Sequence, residues 1–195
     1  MTFQEQLEMA FTAFDYYNSK DPNKESVGRV SIAKELLYGK RMSLMLENYV
    51  PNASLSLKLA ARSQHLCRWQ IPRDQFPLDR KGYLLWRTEL KKFHAEKATK
   101  VLMALEFDPL IIAKVTFLLE KKKLRQDPES QTLEDVVCLV FLQYYFRDFH
   151  KKHPEEKVIH ILQKTWAKMS KKAHEAALKI SFAPTELQFI EKALL

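Results

Sequence analysis

Two histidines and an aspartate, His65, His94 and Asp135, fall on the apolar or border faces of three separate predicted helices. An ionisable side chain among apolar neighbours is costly unless it finds a partner. These three are far enough apart in sequence for each to occupy its own helix, so they can meet only in a folded core. A bound metal would offset the cost of burying them. Two imidazoles and a carboxylate suit iron, manganese or zinc, and leave coordination positions open for water or a phosphate oxygen. Such a metal lowers the pKa of bound water and polarises a phosphoryl group. Arg62 and Arg68 would neutralise developing charge, and Arg73, Arg80 and Arg87 would anchor the phosphate, since a guanidinium fork matches phosphate geometry. The competing reading is a hydrogen-bonded buried network without metal, with each arginine in an ordinary salt bridge.

The elements that must position these groups read as helices. The chain of 195 residues is 46% hydrophobic with only 3 glycines, and its apolar residues recur at three- and four-residue spacing almost from end to end. This predicts an all-α fold, a compact single-domain bundle over residues 1–195 with about seven to nine helices. A first helix presents Phe3, Leu7, Phe11 and Phe14, and ends before the polar turn Asn18 to Asn23. A second runs from about Ser31 to Tyr49 and stops at Pro51. Asn52 or Ser54 caps a third, reaching about Trp69, with His65 beside its stripe of Leu55, Leu59 and Leu66. The loop Ile71 to Pro77 leads to a long helix from about Leu78 to Leu105. Tyr83, Trp86, Leu90, His94 and Val101 share its core-facing side.

Asp108-Pro109 opens a helix through Ile112, Val115 and Leu119 to a basic end at Lys121, Lys122 and Lys123. After Asp127-Pro128, Thr132 caps a helix carrying Asp135, Cys138, Leu139, Leu142, Phe146 and Phe149 on one face. A carboxylate in that first turn also has a simple reading, favouring the helix N-terminus. After His153-Pro154 come one long basic helix, with Ile159, Leu162, Trp166 and Met169 inward, and a short helix beyond Pro184.

The net charge of +8 favours anionic partners, a small phosphate-containing ligand or nucleic acid. No window approaches a membrane span, and the acidic, aromatic start from Met1 to Phe14 lacks the pattern of a secretory leader. A cytoplasmic protein is expected, with Cys67 and Cys138 as reduced thiols near the core. Residues 151–179 hold eight lysines against three glutamates, a face that could track the backbone of RNA or tRNA. Lys168-Met169-Ser170-Lys171-Lys172 resembles the KMSKS loop of class I aminoacyl-tRNA synthetases. That loop works with a nucleotide-binding α/β sheet, which this chain lacks, so synthetase activity is not expected. His150, His153, His160 and His174 read as surface histidines.

Longer runs carry a further signal. Ala61-Arg62-Ser63-Gln64-His65-Leu66-Cys67-Arg68-Trp69-Gln70-Ile71-Pro72-Arg73, Arg80-Lys81-Gly82-Tyr83, Trp86-Arg87, Phe93-His94-Ala95, residues 127–135 and residues 164–170 resemble the bacterial and fungal family known as domain of unknown function 4202, over nearly the whole chain. More remotely, the chain resembles the HD superfamily of metal-dependent phosphohydrolases, helical proteins in which a His, a His-Asp pair and a later Asp hold divalent metal. The resemblance implies that His65 and His94 match the two histidines and Asp135 the last aspartate. The residue after His94 is Ala95 rather than Asp, and Glu134, beside Asp135, is the better substitute; Glu96 points away, two positions along the helix. The resemblance thus implies hydrolysis of a nucleotide or other phosphate ester. RNA binding by the basic segment is the alternative.

Overall fold

Capping side chains open most of the helices, and prolines punctuate the gaps between them. In this computed structural model, residues 2–121 and 126–194 are described, and the chain divides into two compact units, Met1–Lys123 and Leu124–Leu195. In the first unit, Thr2 and Glu5 form a reciprocal capping box at the start of α1 (Phe3–Asn18). A short antiparallel hairpin follows, β1 (Lys24–Val27) with β2 (Val30–Ala33), pairing Lys24 with Ala33 and Val27 with Val30. Helix α2 (Lys34–Tyr49) begins at Ala33, which offers no capping side chain. Buried Asp21 supplies the acceptor instead, its Oδ2 taking the Glu35 N–H at 3.0 Å. Ser54 caps α3 (Leu55–Ser63), Asp79 caps α4 (Arg80–Ala104), and Asp108 with Pro109 opens α5 (Pro109–Leu119).

The core of this unit is built on fully buried Phe14, Met42, Leu46, Leu59, Leu102 and Leu118. Two glycines permit close backbone approaches. A Cβ on Gly39 would sit 3.0 Å from the Arg62 carbonyl, so glycine lets α2 cross tightly over the end of α3. At Gly82 a Cβ would come within 2.1 Å of the Pro77 carbonyl oxygen, a backbone atom with no room to yield. Gly82→Ala is therefore expected to destabilise the protein by about 1–3 kcal/mol, the usual cost of overpacking, or more. Chemical denaturation checks this, with Lys81→Ala on the exposed face of the same turn as the neutral control.

In the second unit, Asp127 caps α6 (Pro128–Val140) with Pro128 in its first turn. A π-helical turn over Phe141–Tyr145 continues directly into α7 (Phe146–Lys151). There follow α8 (Glu155–Trp166), α9 (Lys171–Ala177) and α10 (Pro184–Leu194). Phe146, wholly buried, meets Phe141, Phe182 and Phe189 in edge-to-face contacts with centroids 6.2–6.5 Å apart.

The all-α class holds: the hairpin is the only sheet among the described residues, which carry ten α-helices. Among the described residues, no helix is long and apolar enough to cross a membrane. Several boundaries differ from expectation. The second helix starts at Lys34 because residues 30–33 pair as a strand. The third ends at Ser63, six residues before Trp69, so His65 lies in the turn that follows it. Asp127, with Pro128 behind it, caps α6 in place of Thr132, whose hydroxyl donates to the Pro128 carbonyl within the helix. The expected single basic helix is two, because Ser170 takes the Ala173 N–H and starts α9 afresh. Tyr83 is 42% exposed rather than core-facing. Of the expected basic end of α5, Lys122 and Lys123 lie outside the described residues.

Candidate functional site

Three segments of the first unit converge on one polar cluster. Glu35 comes from the first turn of α2, His65 and Arg68 from the turn after α3, and His94 from the middle of α4. Asn18, at the end of α1, ties the first two together: its Nδ2 donates to the Glu35 carbonyl at 3.3 Å and its Oδ1 accepts the Cys67 N–H at 2.9 Å. Asp21 fixes the same helix start from the other side. The close crossing at Gly39 brings α2 against α3, and the Tyr38 ring stacks on His65 with centroids 3.9 Å apart.

The protonation of His65 follows from its neighbours. Arg68 Nη1 lies 2.8 Å from Nε2, and a guanidinium can only donate, so Nε2 is the acceptor. The ring proton then sits on Nδ1 and is donated to Glu35 Oε2 at 3.1 Å. The imidazole is crowded on its faces, yet its side chain keeps 22% of its surface open. Burial, then the positive charges of Arg68, Lys121, Arg87 and Lys34, hold its pKa well below the ordinary histidine value. Burial also raises the Glu35 carboxyl, against the opposing pull of Arg68 and Lys34. The result is a neutral, partly exposed imidazole, bonded on one side by a buried carboxylate and on the other by a cation.

His94 lies beneath, its ring centroid 5.8 Å from that of His65. Nδ1 donates to the Leu66 carbonyl at 2.9 Å, and the Nε2 lone pair is buried and without a hydrogen-bond partner among the described residues. Desolvation first, then the neighbouring His65, lowers its pKa to about 3. An unfolded histidine protonates near ~6.5. Between those values the unfolded chain binds the extra proton, so the contribution of His94 is fully present above that range and fades as pH falls through it. The shift corresponds to about 5 kcal/mol at most. His65 acts in the same direction, and Glu35, with its raised pKa, in the opposite one. Thermal unfolding between pH 7 and pH 4 is expected to show a steep loss of stability that His94→Leu flattens. An equally steep loss in that variant would contradict the assignment.

The predicted arginines divide by what they touch. Arg68 serves the cluster, with its guanidinium 4.8 Å from the Trp86 ring. Trp86 is fixed in turn by donating to the Ile71 carbonyl at 2.8 Å. Arg62 forms a two-pronged pair with Asp15, at 2.8 and 2.6 Å, over the Phe11 ring. Arg73 spends its guanidinium on the carbonyls of Phe76, Pro77 and Asp79, which shapes the loop into α4. Arg87 donates to the Tyr83 hydroxyl at 3.2 Å. Arg80 stands exposed in the first turn of α4.

The structure thus brings His65 and His94 together. Asp135 and Glu134 belong to the second unit, where both are buried. Asp135 Oδ1 accepts from the Ser170 N–H at 2.8 Å and Gln131 Nε2 at 2.9 Å, and Oδ2 accepts the Ser170 hydroxyl at 2.6 Å. Glu134 Oε1 is 3.6 Å from Lys168 Nζ. The sequence Lys168-Met169-Ser170-Lys171 therefore has a structural explanation: Met169 is core and Ser170 starts α9 while gripping Asp135. His150 packs against Phe146 and Phe189, and His174 stacks on Trp166 at 4.0 Å, so these two are half-buried rather than surface groups.

The expected divalent metal does not fit this donor set as it is bonded. Both nitrogens of His65 are engaged, one of them by a cation, and both oxygens of Asp135 are committed to Ser170 and Gln131. Of the three expected ligands, His94 alone has a ring nitrogen or carboxylate oxygen with no hydrogen-bond partner among the described residues. Among the described residues, no group of three or more His, Cys, Asp and Glu side chains is placed to hold a metal ion.

Glu35 is the member of the cluster that the sequence reading missed. In sequence it looks like an ordinary first-turn acid. The signal was its spacing: Glu35, Tyr38 and Met42 repeat at three and four residues, one face of a helix that is apolar further on.

No curated protein and no solved structure matches the chain. A family model does, over residues 8–190, and its description is domain of unknown function (DUF4202). Since that match runs from within α1 to within α10, most of the chain, the chain belongs to the DUF4202 family.

Proposed function

We propose that the first unit binds a phosphate ester and hydrolyses it, with His65 as general base, Glu35 as its positioning residue and Arg68 as the cation that meets the phosphoryl oxygens. The observation that carries this reading is the Glu35–His65–Arg68 chain, a neutral, partly exposed imidazole held between a buried carboxylate and a guanidinium. Arg87 and Lys34 add positive potential at the same ring, and the remote HD resemblance and net charge of +8 support an anionic substrate. On binding, Arg68 exchanges the imidazole for phosphate oxygens and frees Nε2. Water attacks phosphorus as Nε2 takes its proton, the ester P–O bond breaks, and the imidazolium returns that proton to the leaving oxygen. Glu35 stabilises the transient imidazolium. No step passes through a metal. Nucleotides are the first substrate class to examine, and a reducing cytoplasm suits the buried thiols of Cys67 and Cys138.

RNA binding is the second reading. It is favoured by the exposed Lys164, Lys168, Lys171, Lys172 and Lys179 on and around α8 and α9, close in sequence to the stacked Trp166 and His174 rings. Chelator-treated full chain, verified metal-free by elemental analysis, is incubated with a nucleotide panel and p-nitrophenyl phosphate. Phosphate release that disappears in His65→Ala supports the hydrolase. Release only on restoring iron, manganese or zinc contradicts the metal-free step. No release with or without metal, together with salt-sensitive RNA binding lost on replacing Lys168, Lys171 and Lys172 by alanine, supports the second reading instead.

A further inference from the structure

A groove of about 250 Å³ runs between α1 and the C-terminal half of α4, on a part of the first unit to which no role has been given. Its walls include Ala13, Val101, Ala104 and Leu105, and its floor is the Leu66-Cys67 peptide. Lys97 and Lys100, three residues apart and so on one side of α4, add their side chains to the lining, and Tyr17 adds a phenol. Among the described residues, the lining contains no acid. Neither lysine pairs with a carboxylate among the described residues, and Lys97 Nζ instead lies 5.3 Å from the Phe93 ring centroid. Lys97 and Lys20 both project positive charge onto the buried Cys67 thiol. A mostly apolar trough with two unneutralised cations is complementary to a short hydrocarbon chain ending in a single negative charge. A bare phosphate would leave the apolar walls uncovered, and a neutral alcohol would leave the cations unmet.

We propose that this groove is a ligand site for a small amphipathic carboxylate, its head on Lys97 and Lys100 and its tail along Val101, Ala104 and Leu105, and that its occupancy is felt at the His65 turn. The coupling is structural. Leu66 presents its side of the turn to the groove while its carbonyl holds Nδ1 of His94. Cys67, the other floor residue, has a φ of 56°, a left-handed conformation that is unfavourable for a residue with a Cβ, and its amide is pinned by Asn18. Pressure on the floor therefore acts on a strained turn whose preceding residues are His65 and Leu66. The binding claim stands without the hydrolase reading, and only the consequence of coupling for turnover rests on it.

The test titrates octanoate, octanol and inorganic phosphate separately into the full chain, by calorimetry and by NMR of the histidine rings. Octanoate is expected to bind saturably and to bind at least about tenfold more weakly in the Lys97→Ala/Lys100→Ala double variant. Octanol and phosphate are each expected to bind at least about tenfold more weakly than octanoate to the parent protein. Circular dichroism checks that the variant, altered only at the groove rim, keeps its helices. Saturation should also shift the His94 ring resonances. Undiminished binding by the double variant, equal binding of octanol, or no octanoate binding overturns the site. Binding that leaves the His94 resonances unmoved overturns the coupling. Neither readout depends on turnover, so failure here is distinct from failure of the hydrolase assignment.

Discussion

His65→Ala is expected to lower phosphate-ester turnover by roughly 10²–10⁴-fold, the usual contribution of a positioned acid–base group. His65 is partly exposed and lies in a turn rather than within a helix, so its loss removes chemistry while leaving the core layers of α1 to α5 intact. Glu35→Gln sharpens the point. Glutamine can still accept from Nδ1 but carries no charge to stabilise the imidazolium, so turnover falls by a smaller factor, with the loss concentrated in kcat rather than KM. Turnover should hold as pH falls through the range where ordinary histidines protonate, because burial and four neighbouring cations keep this imidazole neutral there. A rate that collapses near ~6.5 would indicate an unperturbed histidine and a different base.

The largest effect on stability is expected at Phe146. The ring is completely buried, begins α7 directly after the π-helical turn, and is surrounded by Phe141, Phe182, Phe189 and His150. Phe146→Ala removes the shared partner of four rings and leaves a cavity, a change that costs about 3–5 kcal/mol. At that magnitude the unfolding midpoint of a unit of this size falls by at least about 12 °C. His160→Ala, exposed on α8, serves as the control and is expected to stay within about 0.5 kcal/mol of the parent. Comparable stability of the two variants would show that the aromatic cluster is not the core of this unit.

What the sequence made legible, and what it hid, has particular physical causes. Asp108-Pro109 and Asp127-Pro128 are local helix-start signals, and both pairs open helices as such signals should. The hairpin over residues 24–33 was illegible because its short strands are mostly exposed and so lack an apolar alternation to read. His65 and His94 stood out as polar groups against apolar faces, and they do meet. Their partner Glu35 was masked by the common preference of acids for the first helical turn. Burial of Asp135 was readable from its apolar stripe, but its partner was not: Ser170 lies 35 residues on, at a helix start that the sequence reading ran straight through. Arg62 shows the same limit, since its pairing with Asp15 spans 47 residues and no local spacing signals it.

The central claim is that His65 is a neutral base, protonated on Nδ1 and oriented by Glu35. Nitrogen-15 NMR of the imidazole rings in the full chain tests it most directly, with His65→Ala used to assign the signal. The account predicts a neutral His65 with its proton on Nδ1 at pH 6, and a changed Nδ1 resonance in Glu35→Gln. A protonated ring at that pH, or a proton resident on Nε2, would contradict it.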